Sequence, residues 1–355
     1  MRWRMFKLMA VYGLLKNNFM NKKTAIVTGA SGFIGSHCLE YFLEKTDWDI
    51  IAPSSWRHKG TPERITEIFK RHPEFESRVR VITHDLTAPF TDHTIETFGK
   101  VNYIINVASE SHVVRSIESP VEFTKNNIDL TLNMLELARK VKPEMFIQVS
   151  TDEVYGSAPV GTRYKEWDAI VPSNPYSASK ASQEALCISY WRTYDVPLVI
   201  TNTVNNFGET QDQEKFLSLL IKKLHNDEEV VVHGNSNFIG GRFYIYVKNH
   251  ADAILHIVNN IPVKYCEGEQ DRPNRFNVTS DDELDNLEMA KLMARIMGKE
   301  LKYKLEDFHV ERKGHDRRYA LDSAKLKETG WDMPFKFEES LKQYVKWTLE
   351  NQQWI

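Results

Sequence analysis

Three glycines set between a strand and a helix constrain this chain more than any other feature. The run Thr24-Ala25-Ile26-Val27 is β-rich, Thr28-Gly29-Ala30-Ser31-Gly32-Phe33-Ile34-Gly35-Ser36-His37 follows at once, and a helical pattern continues through Leu43. Gly29, Gly32 and Gly35 allow a tight turn, close backbone approach to a pyrophosphate and close packing of helix on strand, while the helix N-terminus faces the anion. The spacing alone is weak evidence. Its position between strand and helix is what marks a dinucleotide-binding turn, with Ser31, Phe33 and Ile34 as its intervening residues.

The same alternation continues downstream. Strands are expected at Trp48–Ala52, Val79–Ile82, Val101–Ala108 and Met145–Val149, with helices around Glu63–Arg71 and Val121–Val141 between them. The longer helix carries apolar Ile128, Leu132, Leu135 and Leu137, and Pro143 ends it. Persistent βαβα order predicts an α/β fold, a doubly wound parallel (Rossmann) sheet over residues 21–200, with a return segment at about 240–260. Residues 201–355 are then mainly a smaller substrate-binding lobe. A chain of 355 residues is long enough for one large domain with a lobe or for two domains.

Residues 1–20 read differently. Arg2, Arg4 and Lys7 precede an apolar run, Leu8 to Leu15, that is too short to span a bilayer and has no small-residue cleavage site before the first strand. An N-terminal extension is expected, with Met20 a natural start; a surface-bound amphipathic helix is the alternative. No membrane partner is therefore expected. The formal charge of −3, without a block of like charge, likewise gives no reason to expect a nucleic-acid partner. Cys38, Cys187 and Cys266 lack CxxC spacing, so neither a disulfide framework nor a metal site is expected, and a reducing cytoplasm fits.

A carboxylate at the end of the second strand would bind the adenosine ribose of NAD. Here the strand runs into Pro53-Ser54-Ser55-Trp56-Arg57-His58-Lys59-Gly60. Ser54 and Arg57 suit a 2′-phosphate, because a guanidinium fork matches phosphate oxygens, so NADP is favoured over NAD; a solvated basic loop is the alternative. Asp85 and Leu86, after the third strand, are placed to hold adenine by its amino group and its face. Val107, Ala108 and Ser109 leave room for a cofactor at the fourth strand, and Ser111 follows where substrate would enter.

Two further stretches carry chemistry. Ser150-Thr151-Asp152-Glu153-Val154-Tyr155-Gly156 puts a hydroxyl and two adjacent carboxylates beyond the fifth strand, where open α/β sheets bind ligands. Alone, it could be a solvated, capping turn. Asn174-Pro175-Tyr176-Ser177-Ala178-Ser179-Lys180-Ala181 enters a helix on which Tyr176 and Lys180 share a face. Lowering a tyrosine from about 10 to about 7 takes roughly 4 kcal/mol. An ammonium about 4 Å away at an effective dielectric of about 20 supplies that amount, so the pair can make a base for a sugar hydroxyl.

With these motifs the chain resembles an extended short-chain dehydrogenase/reductase, and within that superfamily the nucleotide-sugar 4,6-dehydratases, the dTDP-glucose 4,6-dehydratase group in particular. The likeness covers nearly everything after Met20, and includes Ala108 to Ile117, Asn205-Asn206-Phe207-Gly208 and Gly314 to Asp322. It implies that Tyr176, aided by Lys180 and Thr151, takes the 4-hydroxyl proton as hydride passes from C4 to the nicotinamide. Glu153 then removes the C5 hydrogen, Asp152 protonates the departing C6 hydroxyl, and the hydride returns to C6. It also implies that Asn206, Lys215, Arg242, Asn277, Arg312 and His315 line the nucleoside diphosphate pocket, and that the protein is a homodimer. The chain departs from the family pattern at Val114, His233, Phe243-Tyr244 and Lys313, residues near the base and sugar. A nucleotide-sugar epimerase, or a dehydratase of altered regiochemistry, is the nearest alternative. A catalytically silent dinucleotide-binding regulator would be expected to lose Tyr176, Lys180 or the acid pair, and all are present.

Overall fold

The computed structural model describes residues 22–235, 238–307, 314 and 316–355; the expected extension, Arg312, Lys313 and His315 lie outside them. The first half alternates strand and helix as the pattern predicts: β1 (Thr24–Thr28), α1 (Phe33–Lys45), β2 (Asp49–Ser54), α2 (Pro62–Arg71), β3 (Val79–Thr83), β4 (Tyr103–Asn106), α3 (Pro120–Val141), β5 (Met145–Thr151), α4 (Pro175–Tyr194) and β6 (Leu198–Thr203). Apart from the edge strand β3, these strands are short and largely buried on both faces, as parallel strands covered by helices must be. Helix α3 stops at Lys142, which is left-handed (φ 48°), just before Pro143.

Beyond β6 come β7 (Asn205–Phe207), α5 (Phe216–His225), β8 (Val230–Asn235), β9 (Phe238–Ile239), β10 (Gly241–Tyr246), α6 (Val247–Asn260) and β11 (Asn274–Val278). The large sheet has seven strands in the order β11-β6-β5-β4-β1-β2-β3, every neighbouring pair parallel. The order in which strands are added reverses between β1 and β4, and the carboxyl ends of those strands open onto one cleft.

The return to this sheet differs from the expectation. Residues 241–246 pair with β7 in a separate three-stranded sheet, and α6 packs on α1 through buried Ala251, Ile254 and Val258. The strand that rejoins the large sheet is β11. Its sequence, Asn-Arg-Phe-Asn-Val, hides a strand because Arg275 and Asn277 are polar yet fully buried. Arg275 donates to the Glu184 carboxylate at 2.6 Å and the Glu166 carbonyl at 2.9 Å, and the ion pair makes burial of its charge tolerable.

Two buried polar chains tie the sheet mouth to α4. Thr28 donates to Asn106 (2.8 Å), Asn106 to Gln148 (2.8 Å), Gln148 to Gln183 (3.4 Å), and Gln183 to the Asn127 carbonyl (2.7 Å). On the other side Asn202 donates both to Glu184 (2.7 Å) and to the Thr151 carbonyl (3.0 Å), joining the end of β5 to the Glu184–Arg275 pair. In a low-dielectric interior such networks favour one arrangement of the elements they join, even though Asn202 Oδ1 and Arg275 Nε have no hydrogen-bond partner among the described residues.

Candidate active site

The cleft above β1, β4 and β5 has a volume of about 610 Å³. At its floor Gly29 is left-handed (φ 69°), and a Cβ there would lie 3.0 Å from the Ala108 nitrogen. A Cβ on Gly35 would lie 2.0 Å from the Gly29 carbonyl, so α1 seats on the turn only because residue 35 has no side chain. The Thr28 hydroxyl accepts from the backbone N–H groups of Val107 and Ala108, both at 3.0 Å, which holds the β4 end beside the glycines. Ser31, Gly32, Phe33, Ile34, Val107, Ala108 and Ser109 line this part of the cleft, as expected.

At the adenosine end, Ser54 closes β2 with a buried hydroxyl that has no hydrogen-bond partner among the described residues. Arg57 pairs with Asp85 at 2.8 Å, and Leu86 lies beside them. The loop between β2 and α2 is clasped to the far wall by residues the sequence reading did not single out. His58 Nε2 lies 3.0 Å from Glu110, and Arg115 lies 2.6 Å from His58 Nδ1 and 3.2 Å from Glu110. Arginine can only donate, so Nδ1 accepts, the proton sits on Nε2, and His58 is neutral. Burial, then the Arg115 and Arg57 charges, hold its pKa below the usual value against the pull of Glu110. Lys59 pairs with Glu214 at 2.5 Å, and Trp56 and His58 are both left-handed. No single position in that loop betrays these long-range pairs.

At the other end β5 delivers Thr151, Asp152 and Glu153 through one turn of 3₁₀ helix, Asp152–Tyr155. Helix α4 begins at the Asn174 cap, whose side chain and Ser177 form a reciprocal capping box, and it presents Tyr176 and Lys180 to the same space. The Thr151 hydroxyl donates to Asp152 Oδ1 at 3.0 Å, while Asp152 Oδ2 is buried with no partner among the described residues. Glu153 is better supplied: Oε2 accepts from the Tyr319 hydroxyl at 3.2 Å and is approached by Asn174 Nδ2 at 3.5 Å. Burial, then the charge of Glu153, push Asp152 up to about 7. Burial also raises Glu153, opposed by Arg242, Asn174, Tyr319 and Lys215.

The tyrosine–lysine pair departs from the simple expectation. Lys180 Nζ donates to the Val149 carbonyl at 2.8 Å, and burial lowers its pKa to about 8, offset in part by Glu184 one turn below. Tyr176 is held well above its ordinary value by burial and then by Glu153, with the Thr151 hydroxyl working the other way. Lys180 alone therefore does not make a phenolate here. The ammonium is anchored to the end of β5, and further positive charge must enter the cleft before Tyr176 ionises.

The remaining expected residues divide. Ser111, Lys215 and Arg242 line the cleft. Arg242 gives three of its five N–H groups to the carbonyls of Gly241, Arg317 and Asp316 at 2.7–2.9 Å, which leaves two. Asn206 lines the cleft, but its amide donates to Thr203 and Val204 and accepts from His250. Asn277 is a correction: it lies under the site, donating to the carbonyls of Tyr164 and Asp322, and does not reach the cleft. Tyr319 was passed over although its segment was noted, because nothing local in the sequence links it to Glu153.

The sequence between residues 26 and 344 matches the family described as GDP-mannose 4,6 dehydratase. The chain belongs to that family. It is 34% identical to the low-salt glycan biosynthesis protein Agl12 of Haloferax volcanii, covering 91% of this chain and 98% of the relative. It is 32% identical to an Escherichia coli dTDP-glucose 4,6-dehydratase, covering 93% and 94%. The solved dTDP-glucose 4,6-dehydratase DesIV of Streptomyces venezuelae, with NAD bound, superposes with a TM-score of 0.82 at 28% identity, covering 93% of this chain and 98% of that one. Among the described residues no helix is long and apolar enough to cross a membrane.

A carboxyl raised in the folded state binds its proton more tightly there than in the unfolded chain, so folding stability falls as pH rises from about 4 to 7 and then levels off. Asp152→Asn should accordingly gain thermal stability relative to the parent protein across that range, by at most about 4 kcal/mol for three units. Melting curves at pH 5 and pH 8 check it; an unchanged difference between the two proteins would contradict the burial of an ionisable Asp152.

Proposed function

We propose that this protein is an NAD(P)-dependent nucleotide-hexose 4,6-dehydratase that forms a nucleoside-diphospho-4-keto-6-deoxy sugar. The observation that carries the reading is the pair Asp152 and Glu153, adjacent in sequence, the first buried and the second half-buried, both lining the glycine-turn cleft with unequal partners. Elimination of water needs one carboxyl that holds a proton and one that takes a proton, and unequal environments separate the two roles.

The dinucleotide fits the cleft on this chain's own features: the Gly29 turn that tolerates no Cβ, the N-terminus of α1, and the unpartnered Ser54 hydroxyl. When bound, its nicotinamide supplies a hydride acceptor that later gives the hydride back. The chain's residues do the rest. Tyr176, in contact with the Thr151 hydroxyl, takes the sugar 4-hydroxyl proton once cationic charge lies beside it and Lys180. Glu153 takes the C5 hydrogen as a proton, acidified by the neighbouring ketone, Asp152 gives its proton to the C6 hydroxyl as water departs, and Glu153 returns a proton to C5 as the hydride is delivered to C6. Lys215 and Arg242 are the cations that meet the diphosphate.

Ser54 and Arg57 in place of a carboxylate after β2 support NADP over NAD, although a 2′-phosphate must draw Arg57 from Asp85. The protein is further proposed to be a cytoplasmic homodimer, joined by α3 and α4 through half-buried Ile128, Leu132, Leu186 and Ile188, with its three cysteines unpaired.

Incubation with dTDP-, UDP-, GDP- and CDP-glucose and GDP-mannose should yield a product lighter by one water in at least one case. Glu153→Gln should abolish it, by a thousandfold or thereabouts as expected for a lost general base (about 10²–10⁴). Mass spectrometry reads both; a product of unchanged mass with inverted C4 favours epimerisation. Arg57→Ala should weaken NADP by about tenfold to a hundredfold and leave NAD nearly unchanged in fluorescence titration; equal losses would contradict the 2′-phosphate reading.

A further inference from the structure

Tyr319 has no role in the chemistry described above, yet it is the side chain best placed to control it. Only 5% of its surface is exposed, and its hydroxyl donates to Glu153 Oε2 at 3.2 Å across 166 residues of sequence. Its backbone is sewn in place on both sides. The preceding Arg318 forms an ion pair with Glu283 and a bridge to Gly241, and its carbonyl accepts from Ala158 N at 2.9 Å. The carbonyl of Ala320 accepts from Tyr164 N at 2.9 Å, and Leu321 is bridged to Tyr164. The ring is covered by the Arg242 guanidinium, 4.5 Å from its centroid, and that guanidinium is itself tied to the carbonyls of Asp316 and Arg317. The phenol thus has one aim, and that aim is Glu153.

We propose that Tyr319 is a positioning residue that helps to keep Glu153 ionised and holds it oriented as the base. The inference rests on the dehydratase reading. A hydrogen bond donated to a carboxylate favours its charged form; Asp152 receives one from Thr151 at 3.0 Å and Glu153 one from Tyr319 at 3.2 Å, and Glu153 is further approached by Asn174 Nδ2 at 3.5 Å. Asp152 has the Thr151 hydroxyl on one oxygen and no partner on the other among the described residues, the arrangement in which a buried carboxyl keeps its proton. The other groups facing Glu153 are Arg242 and Lys215, which favour its charge, Asn174, and the like charge of Asp152 in the same turn. Tyr176 faces it too, and its own ionisation is opposed by a charged Glu153. Tyr319 itself stays protonated, since burial and the charge of Glu153 raise it well above its ordinary value. It is therefore a neutral donor across the working pH range.

The test is exchange of the C5 hydrogen with deuterium oxide, followed by mass spectrometry over a pH series, for the parent protein and Tyr319→Phe with the same five nucleotide hexoses. Formation of reduced cofactor at C4 oxidation is followed by its absorbance in the same samples. Tyr319→Phe should move the acidic limb of the exchange profile up by about one pH unit, a tenfold loss of rate below the limb. C4 oxidation should be retained, which also shows that the variant is folded and binds its ligands. An unmoved limb, or equal loss of oxidation and exchange at every pH, overturns the inference. Absence of exchange in the parent protein with all five sugars overturns the dehydratase reading and this inference with it; exchange in the parent with an unmoved limb in the variant overturns the inference alone.

Discussion

A buried hydrogen-bond chain across the sheet mouth is the constraint on which the rest depends. Thr28, Asn106, Gln148 and Gln183 join the glycine turn on β1 to the helix that carries Tyr176 and Lys180. Asn127 continues the chain to Ser179 at 2.9 Å and to the Glu110 carbonyl at 3.0 Å. The dinucleotide turn, the cleft wall and the tyrosine helix are therefore held in one register. A leak in this chain would leave buried amides unpaired, at a cost of roughly 1–3 kcal/mol each, so the register is strongly enforced.

Against that fixed frame the end of β5 places two carboxyls where neither is comfortable. Burial raises both, and each charge raises the other's cost. The structure resolves the conflict by unequal supply: cations and donors gather on Glu153, while Asp152 keeps a proton. The same burial explains why Tyr176 and Lys180 do not ionise each other in isolation. Positive charge brought beside Tyr176 would favour its ionisation.

What the sequence revealed was whatever local pattern determines. The glycine turn, the apolar strands, the adjacent Asp152-Glu153 and the Tyr176–Lys180 spacing are each read within a dozen residues, and the fold and the heart of the site follow from them. What it concealed depends on partners far along the chain. Strand β11 was missed because Arg275 looks exposed until Glu184, 91 residues away, neutralises it. Asn277 is expected in the pocket from the family resemblance alone, but its side chain turns to the backbone carbonyls of Tyr164 and Asp322. His58 and Glu110, and Tyr319 and Glu153, are pairs that only the fold brings together. The hydrogen bond that anchors Lys180 to the Val149 carbonyl, 31 residues away, is likewise invisible in the local pattern.

The central claim is that one cleft oxidises C4, removes water across C5 and C6, and returns the same hydride to C6. It is tested most directly with a nucleotide hexose carrying deuterium at C4, converted in ordinary water and analysed for label position. The account predicts a product lighter by one water that retains the deuterium at C6. Deuterium that remains at C4, or that is lost to solvent, would contradict it.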